Sequence, residues 1–443
     1  MIERDEVFRL RTRRKPGVLA SVLGVIAEHG AHCGEIETIA IAREFNVRDI
    51  TVVAPGDDSV DDIREAIAAL PDVEIVEQTV DRVFALHEGG KLAIVPTVEV
   101  RNLQDQREVY TPGVARVSAA IRDDPSLADR YTWRGNTVAI VTNGTRVLGL
   151  GDVGPAASLP VMEGKALFYS MLVDLNAVPI VLDTRDPDEI VETVVRIAPG
   201  FGGIHLEDIS SPEVYAIEEA LIERLDIPVM HDDQHGTAVV VMAAVLSAAR
   251  LLDRPLEDLT FGQVGLGAAG SAIARLAHSF PFRSVLAYDP GSDAVDRLRS
   301  FADDHATDLE AFAGDDGFDR VVAGSDVLVL TTGRPGLLPP AKVRPGSVIA
   351  ALSNPLPEIT IDAAMEAGAA IATDGSIVNN VLAYPGLFRG ALDAHAPQIT
   401  VAMKRAAAEA LSSLASGDAL LPDPLDRSVH AAVARAVAAA VTR

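Results

Sequence analysis

The chain has one cysteine, Cys33, in 443 residues. It therefore has no intrachain disulfide and no cysteine-rich zinc site, and the expected setting is a reducing cytoplasm. Lysine is also scarce, with only Lys15, Lys91, Lys165, Lys342 and Lys404. Basic charge is short overall: 38 Lys and Arg stand against 64 Asp and Glu, a formal net charge of -26. Such a chain repels nucleic acid and anionic membranes, which excludes both as partners. The arginine-rich, lysine-poor acidic composition fits a GC-rich genome or a halophile equally well. The most apolar stretch, residues 238–252, is short, is broken by Arg250, and reads as a buried helix. Residues 1–5 lack the apolar core of a signal peptide.

The hydrophobic fraction is 48% and the charged fraction 23%, as in ordinary globular proteins, and the length calls for more than one domain. The spacing predicts strands over 7–11, 35–42, 47–53 and 73–83 and helices over 17–29 and 59–70. That order is βαββαβ, a ferredoxin-like module. The run Arg14-Lys15-Pro16-Gly17-Val18-Leu19, at the turn from first strand to first helix, resembles an ACT domain. The resemblance implies a regulatory unit over 1–86. An amino-acid-like effector would approach the backbone near Gly17, and modules would pair into a homo-oligomer. Residues 87–91 read as a linker.

Residues 87–227 mix helices with short strands (137–142, 178–182) and form a second expected domain. Lys165 falls just ahead of an apolar helix over 166–175. From 228 to 443 strands alternate with helices (strands 260–264, 284–288, 327–331, 347–351 and 370–372), the pattern of a doubly wound parallel sheet with a helical tail. The first of these strands runs into Gly265-Leu266-Gly267-Ala268-Ala269-Gly270 and then a helix. Here glycines permit close approach of a pyrophosphate to the helix N-terminus, with the amides at Ala268 and Ala269 in reach. Asp289 ends the next strand, where an acid accepts from a ribose diol and repels a 2′-phosphate. NAD is favoured over NADP, with Arg283 and Arg297 as nearby basic groups that weaken the preference.

Two acid pairs, Glu207-Asp208 and Asp232-Asp233, each follow an apolar strand-like run. An arbitrary acid pair in an acidic protein is solvated surface, but these flanks suit an interior cleft. Converging carboxylates need a cation, and oxygen ligands favour Mg²⁺ or Mn²⁺. His231 and His235 beside the second pair leave a softer metal open. A buried Lys165 is a candidate base once burial and a cation lower its pKa. Tyr110, before Thr111-Pro112-Gly113, offers a phenol.

Several motifs occur in one order: Tyr110-Thr111-Pro112-Gly113-Val114-Ala115, Arg146-Val147-Leu148-Gly149-Leu150-Gly151-Asp152, Val161-Met162-Glu163-Gly164-Lys165-Ala166, Leu206-Glu207-Asp208-Ile209, Asp232-Asp233-Gln234-His235-Gly236-Thr237-Ala238, Ser353-Asn354-Pro355 and Asn379-Asn380-Val381-Leu382-Ala383-Tyr384-Pro385-Gly386. Over residues 95–400 they resemble the compact bacterial and archaeal malic enzymes. The resemblance implies a metal-dependent oxidation and decarboxylation of L-malate to pyruvate with NAD. Tyr110 would be the acid and Lys165 the base. Glu207, Asp208 and Asp233 would be metal ligands, and Arg146, Asn354 and Asn380 would hold substrate, with Asn354 also at the cofactor. A malolactic-type enzyme that releases lactate and a degenerate metabolite sensor are the competing readings. Residues 372–378 depart from the family pattern, being shorter and without its arginine.

Overall fold

The computed structural model describes residues 4–76, 80–147, 150–305 and 308–441. The chain divides into two compact units, Met1–Ala93 and Ile94–Arg443.

In the first unit an antiparallel sheet has the order His32–Ile41, Phe45–Ala54, Arg4–Arg13, Val73–Ile75, with Val80–Asp81 also pairing on Arg4–Arg13. Phe8 and Leu10 alternate inward and meet Ile50 and Val52, under Val22 and Ile26 of the helix Val18–Glu28 and Ile63 and Ile67 of Asp57–Ala68. The outward partners include Arg9, whose guanidinium sits 2.7 Å from Asp49. The strand expected over 73–83 is shorter than the sequence implies. Residues 77–79 lie outside the described residues, and Arg82–His87 is a helix. Asp81 already pairs with Glu6, so further pairing would carry residue 83 to Arg4, where the partner strand begins. Val80, Val83 and Phe84 also have helical spacing, which a reading by alternation misses. The expected linker at 87–91 therefore begins on a helix end.

The second unit holds two parallel sheets. The smaller has the order Asn176–Val181, Thr137–Thr142, Gly203–Leu206, Val229–His231. The larger runs Leu309–Phe312, Ser284–Tyr288, Thr260–Val264, Val327–Leu330, Val348–Ala351, Ile371–Asp374, a doubly wound Rossmann order that reverses beside Thr260–Val264. The edge strand Leu309–Phe312 is absent from the sequence reading: only Leu309 and Ala311 are buried, too weak an apolar signal to show. The helix Asp232–Leu251 is the one described helix long and apolar enough to cross a membrane, and 72% of its apolar window is buried in the protein. Its Val239, Val240 and Met242 pack in a cluster that also includes Val138 and Ile140 of the smaller sheet and Phe261 and Val329 of the larger. The tail forms the helices Val401–Leu414 and Arg427–Ala439.

One helix differs usefully from expectation. Gly154–Val173 is continuous, so Lys165 lies inside it and not ahead of it. Pro155 sits in its first turn, where a missing N–H costs nothing, while Pro160 and Gly164 disguise the helical pattern.

Candidate active site

Parallel pairing assembles the site. Val141, Leu206 and His231 are in register on adjacent strands of the smaller sheet. The residues after them, including Glu207-Asp208 and Asp232-Asp233, therefore leave the sheet side by side at its carboxyl edge, where open α/β sheets bind ligands. The helix Gly154–Val173 brings Lys165 against them. Its Nζ lies 2.7 Å from Asp232 Oδ2 and 3.0 Å from Glu207 Oε1, with the side chain 11% exposed. The ring of Tyr384 lies under the same ammonium, 4.7 Å from Nζ to ring centre.

Glu207, Asp208 and Asp233 place one carboxylate oxygen each within 4.8 Å of one another. Asp208 adopts a left-handed backbone with φ 51, and its N–H donates to Asp233 Oδ2 at 3.1 Å. Asp208 Oδ2 is buried with no hydrogen-bond partner. Three acids with an orphaned buried acceptor among them suit a hard divalent cation, and the residues present fit that group. His205, Glu207 and Asp232 satisfy the same spacing. There, however, Asp232 already pairs with Lys165, and both nitrogens of His205 are taken, Nε2 at 2.7 Å from Glu207 and Nδ1 at 2.8 Å from the Tyr169 hydroxyl. His231 lies at 3.1 Å from Asp233 and His235 at 3.1 Å from Glu218.

Charge follows burial. Desolvation pushes Glu207 up to about 7 against the pull of Lys165, and Asp232 up to about 6 in the same way. Burial, then the charges of Glu207 and Asp233, push Asp208 up to about 8. Burial also opposes ionisation of Asp233, but the His231 ring 3.1 Å away holds it down at about 2. For Lys165, burial acts downward as expected from the sequence. Asp232 and Glu207 outweigh it, and the amine is held above its ordinary value. The lowering expected from the sequence depends on a cation that would offset the charge of those acids.

A pH dependence follows. Glu207 and Asp208, raised in the folded state, stabilise it fully only below their unfolded values, and lose that contribution as pH rises through about 7 and 8. His205, lowered to about 3, acts the opposite way but has finished by pH ~6.5. Without metal, the melting temperature is therefore expected to fall between pH 6.5 and 8. Mn²⁺ stabilisation should grow over the same interval, because bound ligands must shed their protons. Differential scanning fluorimetry with chelator and with Mn²⁺ checks this; a metal-free melting temperature that rises across the interval contradicts it.

The Gly265–Gly270 loop follows the strand Thr260–Val264 and opens the helix Ala268–His278. Gly265 has φ 91, and a Cβ on Gly270 would lie 1.9 Å from Gly265 O, so loop and helix Ala268–His278 meet only with glycine there. Gly267 faces open space, as a cradle for a ligand requires. Asp289 accepts from Leu266 N at 2.7 Å and from Gly291 N at 2.8 Å. Of the two basic residues noted there, Arg283 bonds to the Asp258 carbonyl at the far end of its strand, and Arg297 lies 5.5 Å over the Tyr215 ring. Neither is tied to Asp289.

The remaining candidates divide. Arg146 binds Asp208 O through its backbone N–H at 3.0 Å, and its side chain is exposed; Leu148 and Gly149 of its motif lie outside the described residues. Asn380 lies against Gly236, one turn beyond Asp232. Asn354 follows the strand Val348–Ala351 and rests against Gly375. Tyr110 is 67% exposed and makes no hydrogen bond or ring contact with the Lys165 cluster. It joins the helices Leu103–Val109 and Val114–Asp123, neither of which buries a residue. Gly17 has φ 91 at the start of its helix, with open space around it. The sequence does not mark Asp232 as the partner of Lys165, gives Tyr384 no role although it stands in a motif, and shows nothing of His205 and Tyr169.

A Rossmann sheet with its glycine loop, in one unit with a buried lysine among acids, is the build of a dinucleotide-dependent oxidoreductase. Residues 90–222 match the family model of the malic enzyme N-terminal domain. The chain is 44% identical over 428 residues to NAD-dependent malic enzyme 1 of Bacillus subtilis (strain 168), covering 97% of this chain and 95% of the relative. It is 39% identical over 452 residues to the NAD-dependent malic enzyme of Geobacillus stearothermophilus, covering 98% and 94%. Among solved structures, the NAD-dependent malic enzyme of Thermotoga maritima superposes with a TM-score of 0.74 at 35% identity, covering 81% of this chain and 99% of that one. The chain belongs to the malic enzyme family, as its motifs imply.

Proposed function

We propose that this protein catalyses the oxidative decarboxylation of L-malate to pyruvate and carbon dioxide, with NAD as the hydride acceptor and Mg²⁺ or Mn²⁺ as the required cation. The observation that carries the reading is the Lys165 ammonium, held between Asp232 and Glu207 beside the three-acid cluster. NAD-dependent relatives at 44% and 39% identity over nearly the whole chain support it. Asp289, with one oxygen on Leu266 N of the cofactor loop and the other on Gly291 N, supports NAD over NADP.

Glu207, Asp208 and Asp233 would hold the cation, which when bound supplies a Lewis acid for the hydroxyl and carbonyl oxygens at carbon 2. The loop from Gly265 to Gly270 would hold NAD, which would supply the hydride acceptor. Lys165, as the neutral amine, takes the proton from the carbon-2 hydroxyl as the hydride leaves. Asp232 and Glu207 aim that amine and stabilise it once it is charged. Arg146 and Asn380 orient the substrate carboxylates, and Asn354 contacts both substrate and nicotinamide. After carbon dioxide departs, Tyr110 donates a proton to carbon 3 of the enolate and releases pyruvate.

The exposure of Tyr110 bears on the assembly. Ile94, Val95, Val98, Leu103, Tyr110 and Trp133 are all exposed on a stretch whose helices bury nothing. A second copy of the chain over this face would enclose Tyr110, and we assign the protein as a homo-oligomer on that ground. The first unit is read as an ACT-like regulatory module from its βαββαβ order, with an amino-acid-like effector near Gly17. The Thermotoga match, which spans nearly all of that chain, leaves about a fifth of this one uncovered, consistent with an added module. A single exposed cysteine suits a reducing cytoplasm.

A steady-state assay with L-malate, NAD and Mn²⁺ tests the function. NADH and pyruvate should form together, cease with chelator, and fall when NADP replaces NAD. Lactate without net NADH would identify the malolactic reaction instead, and no turnover with any cofactor would leave a sensor.

A further inference from the structure

Glu358 is fully buried, yet no cation pairs with it among the described residues. A buried carboxylate is costly unless its lone pairs are satisfied, and here four neutral donors satisfy it. Its Oε1 accepts from Thr332 N at 2.7 Å, Thr332 Oγ1 at 2.8 Å and Ser353 Oγ at 2.5 Å, and its Oε2 accepts from Ser353 N at 3.3 Å. Each hydroxyl that donates to Glu358 turns a lone pair outward and uses it. Ser353 Oγ accepts from Gly333 N at 2.7 Å, and Thr332 Oγ1 accepts from Arg334 N at 3.1 Å. One carboxylate thus fixes the amides of Thr332, Gly333, Arg334 and Ser353.

Those amides occupy a particular place. Thr332 and Ser353 lie just beyond the adjacent strands Val327–Leu330 and Val348–Ala351. The first of these strands pairs with Thr260–Val264, which carries the glycine loop, at the point where the sheet order reverses. Thr331 Oγ1 reaches Gly265 O at 3.2 Å and accepts from Gln263 Nε2 at 2.8 Å. The loops tied by Glu358 therefore form the wall of the crevice opposite the pyrophosphate cradle. Asn354 follows Ser353 directly, and its other side is closed: a Cβ on Gly375 would lie 2.8 Å from Asn354 Nδ2.

We infer that Glu358 is a positioning residue for cofactor binding, whose carboxyl group draws the two strand-end loops into the shape that receives the nicotinamide half of NAD. The inference rests on the function proposed above. Glutamine is a poor replacement: its amide oxygen could keep the three bonds made by Oε1, but its Nε2–H groups would then face Ser353 N, a donor with nothing to accept them.

The test is equilibrium binding of NADH, followed by fluorescence without malate or metal, on the full-length protein. Glu358→Gln should weaken NADH binding by about tenfold or more, and Mn²⁺ binding, at separate residues, should stay within twofold. Glu358→Asp, which keeps the carboxyl group on a shorter side chain, should recover part of the loss. NADH affinity within twofold of wild type in a folded E358Q protein overturns the inference, as does an equal loss of Mn²⁺ and NADH affinity, the mark of a merely structural role. If E358Q does not fold, Ser353→Ala carries the test: weakened NADH binding supports the clamp, and unchanged binding overturns it. Wild-type protein that binds no NADH sinks the parent function instead, so the two failures are distinguishable.

Discussion

Replacing Lys165 with methionine is expected to lower kcat/KM for malate by about three orders of magnitude, the scale of a lost general base. Methionine keeps much of the volume of the side chain inside the helix Gly154–Val173 and removes only the ammonium. Scarcity sharpens the test, since the chain has five lysines and Lys165 alone sits between Glu207 and Asp232. Losing the cation leaves two buried carboxylates unpaired. Removing one partner of a buried pair commonly destabilises by about 3–5 kcal/mol. Glu207 and Asp232 are already pushed up to about 7 and about 6, so they relieve the strain by taking protons. The variant should therefore fold best at mildly acidic pH. Steady-state kinetics on folded protein, with thermal melts across pH, separates the two effects; malate turnover within tenfold of wild type contradicts the role.

The second large effect belongs to Asp208. Asp208→Asn keeps the shape and removes a charge whose carboxyl is pushed up to about 8 by burial and by Glu207 and Asp233. Two changes of opposite sign follow. Affinity for Mn²⁺ should fall by more than the ~10–100-fold that follows loss of an outer-shell partner, because a direct ligand is gone. The metal-free protein should meanwhile become more stable above pH 8, since the amide never has to ionise in the interior. Calorimetry with Mn²⁺ and melts at pH 9 read both. A variant with unchanged Mn²⁺ affinity would show that the cation sits elsewhere.

The sequence discloses the larger sheet well, because a buried strand, a glycine loop and a helix in succession leave a pattern tied to covalent order. Residues 260–264 and 284–288 are strands to the residue. The acids and Lys165 are legible for a related reason: short motifs place them at the ends of apolar runs. What is not legible depends on direction in space. Asp232 and Asp233 are neighbours in sequence, but successive residues of a helix point about 100° apart. One therefore meets Lys165 and the other the acid cluster. His205 sits between Ile204 and Leu206 like any inward strand residue. Only the packed structure shows both of its ring nitrogens engaged, by Tyr169 and Glu207, with Phe388 stacked on its face at 5.7 Å. Glu358 has no sequence signature, because its four donors come from loops 5 and 26 residues away. Tyr110 is legible as a motif, whereas its surroundings are not, since the face that carries it is open in a single chain.

The most direct measurement is anomalous scattering from crystals of the protein soaked in Mn²⁺. One strong peak is expected, bounded by carboxylate oxygens of Glu207, Asp208 and Asp233, with the Lys165 amine beside it and still paired to Asp232. A peak bound instead by His205, Glu207 and Asp232, or none among these acids at saturating Mn²⁺, would contradict this assignment.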